Sequence, residues 1–201
     1  TPEFKKWFKG SKIVDENGDP LVMYHGTRTA PARFKNISGM FGHFGTLEAA
    51  QDKIRFDKEE LGKRGYPSIM PVYLKIEKPV RMSDVHFDEA GSMAGDLLKR
   101  GDLSLDDIYD IDPDFELNEK ESFVVFSDNV LGGKNGDARV ISWIVDKLKE
   151  KGYDGIVYEN RIESPGEDTY IPFSPTQIKS VYNKGTWDAE NPDIRYAVTP
   201  V

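Results

Sequence analysis

The chain has 201 residues, no cysteine and a formal net charge of -8. Hydrophobic residues make up 38% of it, which is enough for one packed core and excludes a disordered chain. The absence of Cys excludes a disulfide scaffold, a thiolate nucleophile and a Cys-ligated metal site. No apolar run approaches the roughly 18–20 residues of a membrane span, so we expect no membrane partner.

The N-terminus of the sequence carries little information about targeting. The first ten residues lack the pattern of a signal peptide. A start at Thr1 rather than Met indicates a processed chain or a piece of a longer one.

The negative charge is concentrated in one stretch, residues 101–128, which holds ten acids and one base. The rest of the chain is close to neutral, so non-specific binding to nucleic acid through phosphate neutralisation is a poor hypothesis. We predict a single domain over residues 1–201 with an acidic, solvated insertion at about 101–128 and a short helix over 103–111. A surface for a basic partner is the alternative.

The first elements are predicted from apolar spacing and turn residues. Phe4, Trp7 and Phe8 share one face of an N-terminal helix. Asn17-Gly18 separates two apolar runs, which predicts a hairpin with a type I′ turn. A calcium loop is the alternative for the same acids, but the glycine comes too early and the distal Glu is missing.

Two helices and a strand follow in the middle of the chain. Thr46 predicts the N-cap of a helix over residues 47–61. Residues 72–76 alternate as a half-buried strand that stops before Pro79. Residues 139–151 form the clearest helix, with five apolar side chains on one face and Gly152 as its stop.

Three short strands are predicted near the C-terminus, over residues 155–158, 170–173 and 178–182. Pro172 favours an edge or a bulge for the second of them. The tail after residue 183 contains Trp187 and Tyr196 and is expected to be irregular chain tied to the body. Short strands mixed with helices, without strict alternation, predict the α+β class.

Common catalytic machinery is missing from the sequence. The glycines at 132–136 lack the Gly-Lys-Ser/Thr ending of a phosphate-binding loop. No His-Glu-x-x-His motif occurs, and the three histidines lie far apart, so we expect no metal. No Gly-x-Ser-x-Gly motif occurs, and Ser164 lies in a Ser-Pro-Gly turn.

Two segments remain as candidate sites. His25-Gly26-Thr27 ends an apolar strand, where the ring offers a donor and an acceptor and the glycine exposes its backbone to a ligand. The alternative is a histidine in a turn whose ring nitrogens make their hydrogen bonds within the protein. The loop at 163–170 carries three carboxylates that can hold a ribose hydroxyl or stabilise a developing cation, and the alternative there is a solvated loop. They are Glu163, Glu167 and Asp168.

Both ends of the chain resemble a known family. Residues 4–27, ending in Tyr24-His25-Gly26-Thr27, resemble the start of the ADP-ribosyltransferase-like domains of phage and mobile-element polyvalent proteins. The segments 152–158, 170–180 and 191–196 resemble the end of those domains. The resemblance covers about the first 60 and the last 50 residues. It implies an α+β fold with a split β-sheet that grips NAD and with peripheral helices.

The resemblance also implies the residues that bind NAD. His25 corresponds to the His that holds the nicotinamide ribose, and Gly26, with Thr27 beside it, corresponds to the backbone that holds the carboxamide. In the string 42–46, Phe44 occupies the place of the Tyr that stacks on nicotinamide. His43 either compensates for the missing hydroxyl or is itself the stacking ring.

The catalytic Glu of such enzymes directly precedes a strand, and Thr169 occupies that position here. We expect Glu163 to serve instead, because the Asn160-x-x-Glu163 string is similar to that of close relatives. Glu167 is the second candidate, and Asp168 is short for the task.

The resemblance implies a mono-ADP-ribosyltransferase with NAD as co-substrate and a macromolecular acceptor, protein rather than nucleic acid. An NAD glycohydrolase and a catalytically inactive interaction module on the same fold are the alternatives. Three basic residues after the histidine can approach the pyrophosphate of NAD or form a solvated loop. They are Arg28, Arg33 and Lys35. The family also implies delivery by a phage or mobile element into a bacterial cytoplasm.

Overall fold

The structure is a computed structural model that describes residues 1–28, 32–59, 66–118, 120, 122–132, 135–183 and 187–195. The helices are α1 Pro2–Phe8, α2 Leu47–Glu59, α3 Ala90–Arg100, α4 Leu105–Ile111, α5 Asp128–Leu131 and α6 Gly136–Glu150. The strands are β1 Met23–Thr27, β2 Ser68–Leu74, β3 Pro79–Met82, β4 Glu116–Asn118, β5 Phe123–Val125, β6 Gly155–Glu159, β7 Asp168–Pro172 and β8 Ile178–Ser180.

The main β-structure is split into two three-stranded sheets. The first has the order β1-β2-β8 and is antiparallel throughout. The second has the order β3-β6-β7, in which β3 runs parallel and β7 antiparallel to β6. β4 and β5 form a separate hairpin. This arrangement confirms the α+β prediction and the split sheet.

A short extended segment joins the two sheets. Gly45 exchanges backbone hydrogen bonds of 2.9 and 3.0 Å with Tyr24 of β1. Its neighbour Phe44 exchanges bonds of 2.9 and 2.8 Å with Tyr170 of β7. The segment therefore fixes the distance between β1 and β7, and residues on both strands face a common space.

Two apolar clusters lie under the sheets. The larger one packs α3 and α6 against the β3-β6-β7 sheet, and the smaller one lies behind β1, β2 and β8. α6 confirms the prediction made from its period, because it buries the expected face. That face consists of Val140, Ile141, Ile144, Val145 and Leu148. Gly152 follows the helix with φ +84°, a conformation that favours glycine.

The predicted helix after Thr46 is confirmed as α2 through Glu59. The Thr46 Oγ1 atom accepts a hydrogen bond of 3.2 Å from the backbone N–H of Ala49, as an N-cap does. Residues 60–61 of the predicted helix lie outside the described residues.

One local prediction is wrong, and one strand was not predicted. The turn at Asn17-Gly18 is not type I′, because only Gly18 has a positive φ, and the Asp15 carboxylate instead accepts the N–H groups of Asn17 and Asp19. The strand predicted over 72–76 is present as β2, which ends at Leu74, whereas β3, which begins at Pro79, was missed. Proline is tolerated at the first position of an edge strand, and β3 is an edge.

The acidic stretch at 101–128 packs onto the body through its apolar residues. Leu103, Ile108, Val124 and Phe126 belong to the larger cluster. Most of the described acids in this stretch face solvent, whereas Asp112 is buried and accepts hydrogen bonds from the backbone and hydroxyl of Ser127. Glu119 and Glu121 lie outside the described residues. The predicted short helix is present as α4.

The tail is tied to the body at two points. Trp187 packs against Phe4 and Trp7 of α1, and Ile194 is buried and hydrogen-bonded to Ser180 and Ala32. Tyr196 lies outside the described residues. Within the described part of the chain, no helix has the length and apolar character needed to cross a membrane.

Candidate functional site

A cleft of about 660 Å³ lies where the two sheets meet. This volume is within the range of small-molecule sites, about 300–1,000 Å³. One wall consists of β1 and the start of α2, and the other consists of the loop after β6, at 160–163, and the loop after β3, at 84–88. The cleft therefore collects residues that are far apart in the sequence.

His25 lies on the β1 wall, and its ring is held from two sides. Its Nδ1 atom is 2.9 Å from the backbone oxygen of His43, and because a carbonyl only accepts, Nδ1 donates. The rings of Phe34 and Phe44 pack against it at centroid distances of 5.0 and 5.3 Å. The imidazole is thus oriented by a backbone contact and two aromatic rings, and it lines the cleft.

Gly26 and Thr27 also line the cleft. A Cβ atom at Gly26 would lie 2.2 Å from the backbone oxygen of Ala50 in α2, closer than any side chain can approach. Glycine is therefore required here by the close packing of α2 on β1. This requirement is compatible with the approach of a ligand to the bare backbone of Gly26, which the sequence predicts.

His43 is an exposed residue that lines the cleft. Its Nδ1 atom is 2.9 Å from the hydroxyl of Tyr158 on β6. Partial desolvation by the surrounding cleft, together with the proximity of His25 and Lys53, lowers the pKa of His43 to about 4. The ring is therefore neutral at pH 7.

Phe44 does not face the cleft. Its side chain has no exposed surface and packs against His25 and Phe34, with centroid distances of 5.3 and 5.1 Å. The ring supports His25 from behind and presents no face to a ligand in this conformation. Of the two rings that the sequence offered for stacking, His43 is the one that lines the cleft.

Glu163 lines the cleft on the wall opposite β1 and is half-buried. Its backbone N–H donates a 2.8 Å hydrogen bond to the Oδ1 atom of Asn160, a buried side chain at the end of β6. The hydroxyl of Thr46 donates to the hydroxyl of Ser164 at 3.2 Å, which ties this loop to the start of α2. The loop is therefore held both at the end of β6 and at the start of α2.

The other two carboxylates of the loop point elsewhere. Glu167 is exposed and is not among the residues that line the cleft. Asp168 accepts two hydrogen bonds from the guanidinium of Arg81, at 3.0 and 2.6 Å, on the edge of the second sheet. Of the three candidates, only Glu163 shares the cleft with His25.

The basic residues after His25 do not line the cleft either. Arg28 donates a 2.9 Å hydrogen bond to the backbone oxygen of Ile54, and Arg33 and Lys35 are exposed. Among the residues that line the cleft, the lysine is Lys53 of α2.

Sequence reasoning missed Tyr158, which was treated only as part of a strand. β6 and β7 pair with Tyr158 opposite Thr169, so both side chains lie on one face and reach the cleft. Burial and the charges of Asp84 and Glu163 raise the pKa of Tyr158, which keeps its hydroxyl protonated. The sequence feature that could have indicated Tyr158 is its position, since it is an aromatic residue with a hydroxyl group two residues before Asn160.

Asp84, His86 and Asp88 were also missed; they line the cleft from the loop after β3. Asp84 accepts the backbone N–H of Arg161 at 2.8 Å and so holds the two loops of this wall together. No pattern in the sequence joins these two loops. Among the described residues, no group of three or more His, Asp or Glu side chains is arranged to hold a metal ion.

Comparison with known proteins gives one match. A family model described as ADP-ribosyltransferase in polyvalent proteins matches residues 15–188, which includes both walls of the cleft. No curated protein and no solved structure gives a significant match. The match spans most of the chain and agrees with the split sheet, so this chain belongs to the family of ADP-ribosyltransferases in polyvalent proteins.

Proposed function

We propose that the cleft binds NAD and that the chain is a mono-ADP-ribosyltransferase with a macromolecular acceptor. The bond between the nicotinamide nitrogen and the ribose C1′ breaks, and a new bond forms between C1′ and a nucleophile of the acceptor. Nicotinamide leaves with the electron pair of the broken bond, and the acceptor loses a proton. The observation that carries the proposal is that His25 and Glu163 line one cleft in a chain of this family.

Glu163 stabilises the charge that develops in this reaction. As the glycosidic bond breaks, the ribose acquires positive, oxocarbenium-like character, and a fixed carboxylate nearby lowers the energy of that state. Glu163 also accepts hydrogen bonds from the ribose hydroxyls. By analogy with oxyanion-hole donors, one such group contributes about 10²–10³ in rate.

His25 and its neighbours position the substrate. The ring of His25 is already oriented by the backbone oxygen of His43 and by two aromatic rings, so it can hold the nicotinamide ribose with little loss of freedom. The backbone of Gly26, with Thr27 beside it, holds the carboxamide. The ring that contacts nicotinamide is His43, since Phe44 has no exposed face.

A protein acceptor fits the charge of the whole molecule better than a nucleic acid does. The formal net charge is -8, and a field of this sign opposes the approach of a long polyanion such as a nucleic acid. The acidic side chains of 101–128 add to the negative field of the molecule.

The test compares two carboxylates of one loop. The purified chain is incubated with NAD that carries one label in nicotinamide and a second label in the adenosine part, with and without bacterial lysate as a source of acceptor, beside Glu163→Gln and its matched variant Glu167→Gln. We expect Glu163→Gln to reduce nicotinamide release about 10²–10³-fold, and we expect labelled ADP-ribose on lysate protein only with the wild type and Glu167→Gln. Loss in Glu167→Gln alone would move the catalytic role to that residue.

Two other outcomes point to the alternatives. Nicotinamide release without any labelled acceptor identifies an NAD glycohydrolase. Folded protein that releases no nicotinamide under any of these conditions contradicts the enzyme proposal and supports an inactive interaction module.

A further inference from the structure

We call the described part of the tail, residues 187–195, the strap. Three of its side chains shape it, because an oxygen of each accepts the backbone N–H two residues further on, at 2.9 Å, as in Asx turns. They are Asp188, Asn191 and Asp193. The place of Ile194 on the strap is therefore set by local hydrogen bonds on both sides of it.

β8 holds the strap through two neighbouring residues. The ammonium of Lys179, a side chain with no exposed surface, donates a hydrogen bond to the backbone oxygen of Asn191. The backbone N–H of Ser180 donates to the backbone oxygen of Ile194 at 2.9 Å. A lysine is almost never fully buried unless its ammonium is paired, so the strap accepts the hydrogen bond of Lys179 and is anchored by it.

Ile194 also holds a segment that follows β1, residues 32–34. Its backbone N–H donates to the backbone oxygen of Ala32 at 3.1 Å. Its side chain is 1% exposed and belongs to the smaller apolar cluster, which also contains Phe34 and Phe44. Within the part of the chain that the structure describes, no other hydrogen bond between backbone groups is found for residues 32–34. The position of this segment therefore depends on Ile194.

Phe34 of this segment restrains the ring of His25. The two rings are edge-on, with centroids 5.0 Å apart and an angle of 83° between their planes. The hydrogen bond from Nδ1 to the His43 oxygen does not by itself fix the ring, since the χ2 torsion of histidine has broad energy wells. Packing against Phe34 and Phe44 narrows them. Phe44 is held by backbone bonds to β7, so the position of Phe34 is the restraint that the strap can change.

We infer that Ile194 is a positioning residue for His25: it fixes residues 32–34 against β8, and Phe34 of that segment holds the imidazole in its orientation at the cleft. The strap thereby supports the β1 wall although none of its residues lines the cleft. The consequence for NAD rests on the proposed function, whereas the orientation of the ring is a property of the protein without ligand.

The first experiment reads the surroundings of the His25 ring in the ligand-free protein. The ring current of a nearby aromatic side chain displaces the signal of the Cε1 proton, which ¹H–¹³C spectra of histidine-labelled protein detect. A His25→Gln sample assigns the signal, and Phe34→Leu gives its position without the Phe34 ring. Ile194→Ala leaves a cavity in the cluster that holds Phe34, so we expect it to move the signal toward the Phe34→Leu position.

Ile13→Ala is the matched control. Ile13 is also 1% exposed and belongs to the same cluster, so the two variants should lose similar stability in urea. Its backbone oxygen accepts the N–H of Leu21 rather than holding residues 32–34, so the His25 signal should stay at the wild-type position. An unmoved signal in Ile194→Ala, or the same movement in both variants, overturns the inference. If Ile194→Ala does not fold, the smaller change Ile194→Val replaces it and the same two outcomes decide.

A double-mutant cycle tests whether Ile194 acts through Phe34. In Phe34→Leu the aromatic ring is already gone, so the addition of Ile194→Ala should move the His25 signal no further. A movement of the same size with and without the Phe34 ring would mean that the strap acts on His25 by another route, and it would contradict the inference.

Kinetics of nicotinamide release give the consequence for NAD. His25 holds the ribose both before and during bond breakage, so loss of its orientation should raise KM and leave kcat near the wild-type value. We expect KM for NAD to rise about fivefold in Ile194→Ala, the equivalent of one weakened hydrogen bond, and to stay unchanged in Ile13→Ala.

The two kinds of measurement separate this inference from the proposed function. If the wild type releases no nicotinamide, the proposed function fails, but the spectra still decide the role of Ile194. If the His25 signal moves as expected and Ile194→Ala has the wild-type KM, the part of the inference that concerns NAD is wrong.

Discussion

The two walls of the cleft are built by different means. The wall that carries His25 is a strand with five residue pairs to β2, a backbone bridge to Gly45 and a helix packed directly on its glycine. The wall that carries Glu163 includes a loop in which the N–H groups of Ile162 and Glu163 both donate to one buried side chain, Asn160. The β1 wall is therefore as stable as the sheet, whereas the Glu163 loop can change its conformation while the sheet stays intact.

The largest expected effect on stability comes from breaking the β1 wall with Gly26→Ala. The added Cβ would meet the backbone oxygen of Ala50 at 2.2 Å, so α2 must move away from β1. We expect the free energy of unfolding in urea to fall by about 2–3 kcal/mol. Gly18→Ala is the control, since it meets no atom within 4 Å and costs about 1 kcal/mol for its positive φ alone. Equal losses in the two variants would contradict this account of Gly26.

Asn160→Ala should disrupt the other wall, and its effects on stability and on activity should differ from those of Gly26→Ala. The N–H groups of Ile162 and Glu163 lose their acceptor but can turn to water, so the free energy of unfolding should fall by about 1–2 kcal/mol. Nicotinamide release should fall about 100-fold, because Asn160 no longer holds the backbone that places Glu163 in the cleft wall.

The matched control for this variant is Asp15→Ala. Asp15 accepts two backbone N–H groups in a turn outside the cleft, in the same way as Asn160 does. We expect a similar loss of stability with unchanged nicotinamide release. A parallel loss of release in both variants would mean that destabilisation, and not the position of Glu163, accounts for the effect.

A smaller effect concerns pH and His43, which lines the cleft between the walls. The pKa of His43 is lowered to about 4 in the folded protein, whereas an unfolded His titrates near 6.5. The unfolded chain therefore binds more protons in this range, and the free energy of unfolding contributed by His43 decreases as the pH falls from about 6.5 to about 4. Urea unfolding at pH 7 and pH 5 should show a smaller pH-dependent loss in His43→Gln than in the wild type, and equal losses would contradict the shift.

The smallest effect is expected at the outer edge of the Glu163 loop. Asp168 pairs with Arg81 at 2.6 Å, but the Arg81 side chain is exposed and the Asp168 side chain is partly exposed. Asp168→Asn should lower the free energy of unfolding by less than about 1 kcal/mol, and less still in high salt. Nicotinamide release should stay at the wild-type rate. A large loss of nicotinamide release would make Asp168 a candidate for the catalytic carboxylate again.

Local sequence patterns predicted the elements that bury one face and expose the other. α6 was recognisable because one apolar face repeats every three to four residues and a glycine ends it. α2 was recognisable because Thr46 caps it. β3 was missed because four residues that begin with Pro79 are too short for a period, and only pairing with β6 makes them a strand.

The candidate site was predicted in part. The motif around His25 and the spacing of Asn160 and Glu163 directed attention to two residues that do line the cleft. The motif also gave Phe44 a ligand contact, and only packing against His25 and Phe34 shows that its ring is enclosed. Their roles in catalysis remain predictions for the experiments above.

The sequence by itself determined the family, the α+β class and the helices with regular apolar faces, because these depend on neighbours along the chain. Only the tertiary structure decided which carboxylate of one loop shares a cleft with His25, and which ring at 43–44 is open to that cleft. It also decided that Tyr158 and Thr169 meet, through the register of β6 and β7. The physical reason is that strand register and the packing between sheets set distances between residues that no local pattern encodes.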